Sequence, residues 1–133
     1  MPLMADRLFT LDEARALLPT VRQLLAEIQA AKGEVDSKGA EMARILAITG
    51  GNGHQQGDLT TARANVETAA GALQDRIAEL EDLGVELKGL DEGLCDFPSM
   101  REDRVVYLCY RLGEEDITHW HELDTGYSGR QPL

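Results

Sequence analysis

Aliphatic side chains recur at seven-residue spacing through the first two-thirds of this chain, and no other feature limits its fold so severely. Leu11, Leu18 and Leu25 form one ladder, and Ala14, Val21 and Ile28 form a second beside it. Residues seven apart stand two helical turns apart on one face, so the two ladders line a single apolar stripe. Thr10-Leu11-Asp12-Glu13 opens the stripe as a capping box, in which the Thr10 hydroxyl and the Glu13 carboxylate each take an orphan backbone N–H. Val35 and Met42, then Lys38 and Ile45, resume the spacing beyond Gly33. One bent helix from Leu11 to Ile48 is expected. Pro19 cannot donate to the carbonyl of Arg15 and predicts a kink or a short first segment. A break near Lys32-Gly33 is the alternative.

"TGGNGHQQGD", Thr49 to Asp58, is a loop with four glycines, and Asp58 is placed to cap the next helix. That helix carries Leu59, Val66, Leu73 and Leu80 at the same spacing, with small residues at Ala69 to Ala72 that permit close approach of a neighbour. Gly84 suits the left-handed position after its end. Two matching stripes joined by a loop make an antiparallel hairpin. Each helix buries only one stripe in such a pair, so further apolar cover must come from the C-terminal third or from a second copy.

The C-terminal third reads as strands. Val85 to Lys88 and Leu94 to Phe97 are short candidates, the second stopped by Pro98. "RVVYLCYRL", Arg104 to Leu112, is β-branched and aromatic and gives the plainest strand pattern. Gly113 to Asp116 is a turn, and Ile117 to Leu123 returns as the other arm of a hairpin. The turn-rich tail "DTGYSGRQPL" is expected over the sheet surface. The fold class is therefore α+β: a long antiparallel helical hairpin over 10–83 with a small antiparallel sheet within 85–133. A length of 133 residues fits one domain over 1–133.

The chain carries 24 acidic against 13 basic residues, a formal net charge of -11. With no Lys/Arg stripe, this balance excludes nucleic acid and anionic membrane surfaces as partners. No apolar run reaches the length of a bilayer span, and the first residues lack the pattern of a secretory leader, so a cytoplasmic setting is expected. Two cysteines, Cys95 and Cys109, are too few for a disulfide framework. Signatures of a serine nucleophile, a dinucleotide site and a phosphate loop are absent. "GGNGHQQG" follows a helix rather than a strand and has no lysine, so it is not a phosphate loop.

"HWHE" carries the chemistry. On a strand, His119 and His121 share one face, while Trp120 and Glu122 share the other. Two imidazoles two residues apart can chelate one metal, but zinc or iron requires a third ligand. Which residue supplies it depends on the hairpin register. An even loop pairs Cys109 with Trp120 and turns the thiol away from both histidines. An odd loop brings Cys109 beside them. Asp116 is a poor left-handed residue for a three-residue loop, so the even register is expected. Further ligand candidates are Asp96, Asp91, Glu114, Glu13 and His54. Asp96 with His121 also makes a conceivable acid–base pair. A structural role for the histidine strand, with Glu122 paired to Arg111, is the competing reading.

"FTLDEARALLP", "GVELKGLDEGLCDFPS", "VYLCYRLGE" and "HWHELDTGYSGRQP" together resemble the bacterial family catalogued as domain of unknown function 2203, from Phe9 to Leu133. The family pattern has tryptophan where this chain has Tyr110. The resemblance implies a helical hairpin with a C-terminal sheet, and brings no activity or catalytic residues. It implies that Asp96, Arg111, Glu114, His121, Glu122 and Arg130 belong to a polar signature. Three functions follow in order. The first is a non-enzymatic protein that self-associates as a homodimer or coiled coil along its helical stripes. The second is a zinc or iron protein using His121 and His119 with Asp96 or Glu122, near a polar cluster of Arg111, Glu114, Arg130 and Cys109. The third is a small hydrolase-like enzyme using Asp96 and His121.

Overall fold

The computed structural model describes residues 7–49 and 56–133. Two helices, α1 (Leu11–Thr49) and α2 (Gln56–Asp82), form the hairpin, and five strands follow: β1 (Glu86–Gly89), β2 (Leu94–Arg101), β3 (Arg104–Arg111), β4 (His119–His121) and β5 (Gln131–Pro132). The strands lie in sequence order in one antiparallel sheet. No described helix is long and apolar enough to cross a membrane.

The capping box forms as the sequence predicts: Thr10 N–H donates to Glu13 Oε1 at 2.8 Å, and Glu13 N–H donates to Thr10 Oγ1 at 3.1 Å. From there α1 runs for 39 residues without a break at Pro19 or Gly33. Arg15 and Pro19 both lie on the exposed face, where water can take the carbonyl that proline leaves without a donor. Gly84 ends the second helix with φ 96°, and its N–H donates to the Glu81 carbonyl at 2.9 Å. The helix begins at Gln56, so Asp58 sits in its first turn rather than at its cap. The glycine-rich connection falls largely outside the described residues.

The ladders are buried unequally. Ala14, Leu18, Val21, Leu25 and Ile28 pack with Leu80, Val85 and the inner face of the sheet: Cys95, Phe97, Val106, Leu108, Tyr110 and Trp120. Gln29 and Lys32 still touch Asp91 in the β1–β2 connection; further along, α2 packs against α1, and Val35, Met42 and Ile45 are half-buried. At about 1.5 Å per residue the longer helix spans roughly 58 Å, so its distal half projects past the sheet.

Pro98 does not stop β2, which continues to Arg101. The Pro98 carbonyl faces away from β3 and accepts the Phe9 N–H at 2.7 Å. The missing N–H would point to that same side, where β1 has already ended, so no ladder bond is lost. β4 is shorter than the expected arm, because Ile117 is drawn into the core while Thr118 stays exposed outside the ladder.

The β3–β4 register is odd, not even. Cys109 pairs with His119, Leu108 with Trp120 and Tyr107 with His121. The left-handed residue of the connection is Gly113, at φ 110°, rather than Asp116. Glu114 N–H closes the turn on the Arg111 carbonyl at 3.0 Å. Glycine early in the loop removes the steric objection to an odd register. Tyr110 reinforces the turn: its hydroxyl donates to the Glu114 carbonyl at 2.9 Å and accepts from Arg22 Nε at 3.1 Å.

Candidate metal centre

The odd register places Asp96, Tyr107, Cys109, Arg111, His119 and His121 on the outer face of the sheet, away from the helices. Sheet geometry brings Asp96 directly opposite Cys109, and His121 lies diagonally across β3. One donor atom each from Asp96, Cys109 and His121 fall within 4.8 Å of one another. All three residues are buried, at 2%, 1% and 2% exposure.

The His121 ring is fixed at both nitrogens. Nδ1 lies 2.7 Å from the Glu122 carbonyl oxygen, which only accepts, so Nδ1 carries the hydrogen. In the neutral ring, Nε2 then bears the lone pair. It sits 3.1 Å from both carboxylate oxygens of Asp96. Two acceptors aimed at one point require a proton or a metal cation between them. A backbone carbonyl holding Nδ1–H is also the usual support of a metal-bound imidazole.

Burial raises the Asp96 carboxyl above its ordinary range, against the opposing pull of His121 and Lys88. Burial, then the Asp96 charge, pushes the Cys109 thiol up to about 11 despite Arg130 nearby. The thiol is therefore protonated at neutral pH, beside the Asp96 carboxylate. It is no nucleophile without a cation to replace its proton.

Charged pairs flank the cluster on two sides. Arg130 Nη1 lies 3.8 Å from Cys109 Sγ, pairs with both oxygens of Glu114 at 3.3 and 2.5 Å, and stacks over Tyr127 at 4.3 Å. Burial acts upward on Glu114 but is outweighed by Arg130 and the Arg111 N–H, which hold that carboxyl low. On the other side, Lys88 Nζ lies 3.9 Å from Asp96 Oδ2, 3.2 Å from Glu86 Oε1 and 4.3 Å above the Tyr107 ring. The Tyr107 hydroxyl donates to Glu86 at 2.9 Å, and its ring tilts against His121 at 5.4 Å.

Other sequence candidates lie elsewhere. His119 is beside Cys109 in register, but its Nδ1 bonds the Thr118 hydroxyl at 2.9 Å and it stands outside the three-residue cluster. Glu122 points to the opposite face and pairs with Arg104 at 3.0 and 2.6 Å, not with Arg111. Arg111 is exposed beside the Tyr127 ring, 5.7 Å from its centroid. Glu13 caps α1, Asp91 pairs with Lys32 at 3.5 Å, and His54 lies outside the described residues. Sequence reasoning missed Glu86, Lys88 and Tyr107. Their shared face follows from alternation, but their place beside Asp96 depends on strand order.

Asp96 supplies a test of this electrostatic picture. A carboxyl raised on folding holds its proton more tightly in the native state. Native stability then falls as pH climbs from the ordinary carboxylate range through the raised value. Asp96→Asn removes that slope. In chelator-treated protein, urea unfolding from pH 4 to 7 should show the variant gaining on wild type as pH rises. A constant difference across that range would refute the assignment.

Fold and cluster together define a class: a helical hairpin carrying a five-stranded antiparallel sheet whose outer face buries aspartate, cysteine and histidine at one point. The chain belongs to the DUF2203 family, described as an uncharacterized conserved protein, whose model matches residues 7–133. Comparison with curated proteins and with solved structures gave no match.

Proposed function

We propose that this protein binds a divalent transition metal, zinc foremost, through Asp96, Cys109 and His121. One observation carries the reading: His121 Nε2 stands 3.1 Å from both Asp96 carboxylate oxygens, with the Cys109 thiol in the same group. Ligands on one tetrahedral zinc stand roughly 3.3–3.6 Å apart, given bond lengths of about 2.0–2.3 Å. The 3.1 Å nitrogen–oxygen spacing is close to that, and mixed nitrogen, oxygen and sulfur donors suit zinc. Thiolate and carboxylate together balance a dication. Three protein ligands leave a position open, as in reactive rather than purely structural zinc sites. A metal-free hydrolase built on Asp96 and His121 has less support, since both ring nitrogens are already engaged.

Titration of chelator-stripped, untagged protein with cobalt(II) is the test. One equivalent should bind with a near-ultraviolet sulfur-to-cobalt charge-transfer band, and zinc should displace it. Binding without that band, or no stoichiometric binding, ends the proposal.

A second reading rests on the distal hairpin. Val35, Met42 and Ile45 are half-buried, and Leu46 and Ile48 are 46% and 63% exposed at the same end. A second copy of the chain would cover this stripe, at about 25 cal/mol for each Å² of apolar surface removed from water. Light scattering at high micromolar concentration should give a dimer mass that Leu46→Lys with Ile48→Lys reduces to a monomer. A monomeric wild type would exclude self-association.

A further inference from the structure

We propose that the metal-loaded Asp96–Cys109–His121 centre takes a small oxyanion at its remaining coordination position, held there by Lys88. The inference rests on the metal reading and extends it to the class of ligand. Lys88 is the cation whose place invites this. Its ammonium stands 3.9 Å from Asp96 Oδ2, so it adjoins whatever Asp96 ligates. An ammonium has three donors. One is directed at Glu86, 3.2 Å away, and the side chain is 36% exposed, so it faces both the cluster and solvent. The Tyr107 ring beneath it, 4.3 Å from Nζ, keeps the ammonium over the outer face.

Arg130 is committed by contrast. It spans Cys109 and Glu114, stacks on Tyr127, and its side chain is 15% exposed. With a thiolate formed on the metal, Arg130 stabilises the sulfur, and Lys88 is left to meet an incoming ligand. Glu86 takes one donor of the ammonium, and the remaining donors can meet a negatively charged fourth ligand on the metal. An oxyanion binds the metal through one oxygen and accepts from Lys88 through another. The burial of all three ligand residues limits it to a small group, such as a carboxylate or inorganic phosphate.

Cobalt-loaded protein reports this directly. Acetate and inorganic phosphate, added in separate arms, perturb the visible cobalt bands when an oxygen enters the coordination shell. At least one should do so saturably, and the arm that responds at lower concentration separates carboxylate from phosphate. Lys88→Met should weaken that anion about tenfold or more while retaining the cobalt band, and Lys88→Arg should recover much of the loss. Bound cobalt indifferent to both anions, or equal anion affinity in Lys88→Met, overturns the oxyanion assignment and leaves the metal centre standing. Failure to bind cobalt overturns both.

Discussion

Cys109→Ser should lower zinc affinity at neutral pH by at least about a hundredfold while the metal-free protein keeps its fold. Loss of a residue that merely supports a ligand costs about 10–100-fold, so loss of the sulfur itself exceeds that. Serine nearly preserves the side-chain volume, and its hydroxyl keeps a polar group beside Asp96. Unfolding midpoints without metal should therefore stay within about 1 kcal/mol of wild type. His121→Ala should lose zinc to a similar degree but also destabilise the metal-free chain. It strips the partner from a carboxylate buried to 2% exposure, a loss of about 1–3 kcal/mol or more. The pH dependence separates the two roles further. Zinc binding releases the Cys109 proton, held up to about 11, so wild-type affinity should rise about tenfold per pH unit above the ordinary histidine range. Cys109→Ser has no such proton to release and should lose that slope. Competition titrations against a chromophoric chelator read all three quantities, and wild-type affinity in Cys109→Ser would remove sulfur from the site.

The parts of this architecture that local chemistry controls were legible in the sequence. Thr10 and Glu13 determine a helix start within four residues, and the ladders from Leu11 to Ile28 identify the buried face without knowledge of what covers it. Asp96 and His121 were each recognisable as polar residues in apolar strands. Their meeting was not local. It depends on β3 lying between β2 and β4, and on a register that one loop residue reverses. The sequence reading placed the left-handed residue at Asp116, whereas Gly113 three positions earlier takes it. That single displacement moves Cys109 from the far side of the strand into the cluster. Lys88 and Tyr107 were illegible for the same reason, since both reach Asp96 or His121 only across the sheet.

Phe97→Ala should cost about 3–5 kcal/mol. Phe97 is fully buried on the inner face of β2, opposite Leu108, directly between the site residue Asp96 and Pro98. Its ring meets Phe9 edge-on, with centroids 5.4 Å apart at 88°. Phe9 is itself tied to the strand on both sides. Its N–H donates to the Pro98 carbonyl at 2.7 Å, and its carbonyl accepts from Ser99 Oγ at 2.6 Å. The residue that leads into the capping box thus joins α1 to the free edge of β2, and Phe97 fills the space beneath that joint. Alanine leaves a cavity that a helix anchored by Phe9 and a strand paired on β3 cannot collapse to fill. Phe97→Leu should retain much of the stability by keeping most of the volume. Asp96 points to the opposite face, so its donor geometry survives as long as the sheet does. Zinc at a hundred times its dissociation constant should then restore about 2.7 kcal/mol to Phe97→Ala, as to wild type. Urea unfolding with and without zinc checks both numbers. A Phe97→Ala variant as stable as wild type would remove Phe97 from the centre of the core, and one that zinc fails to stabilise would show that the inner and outer faces are not independent.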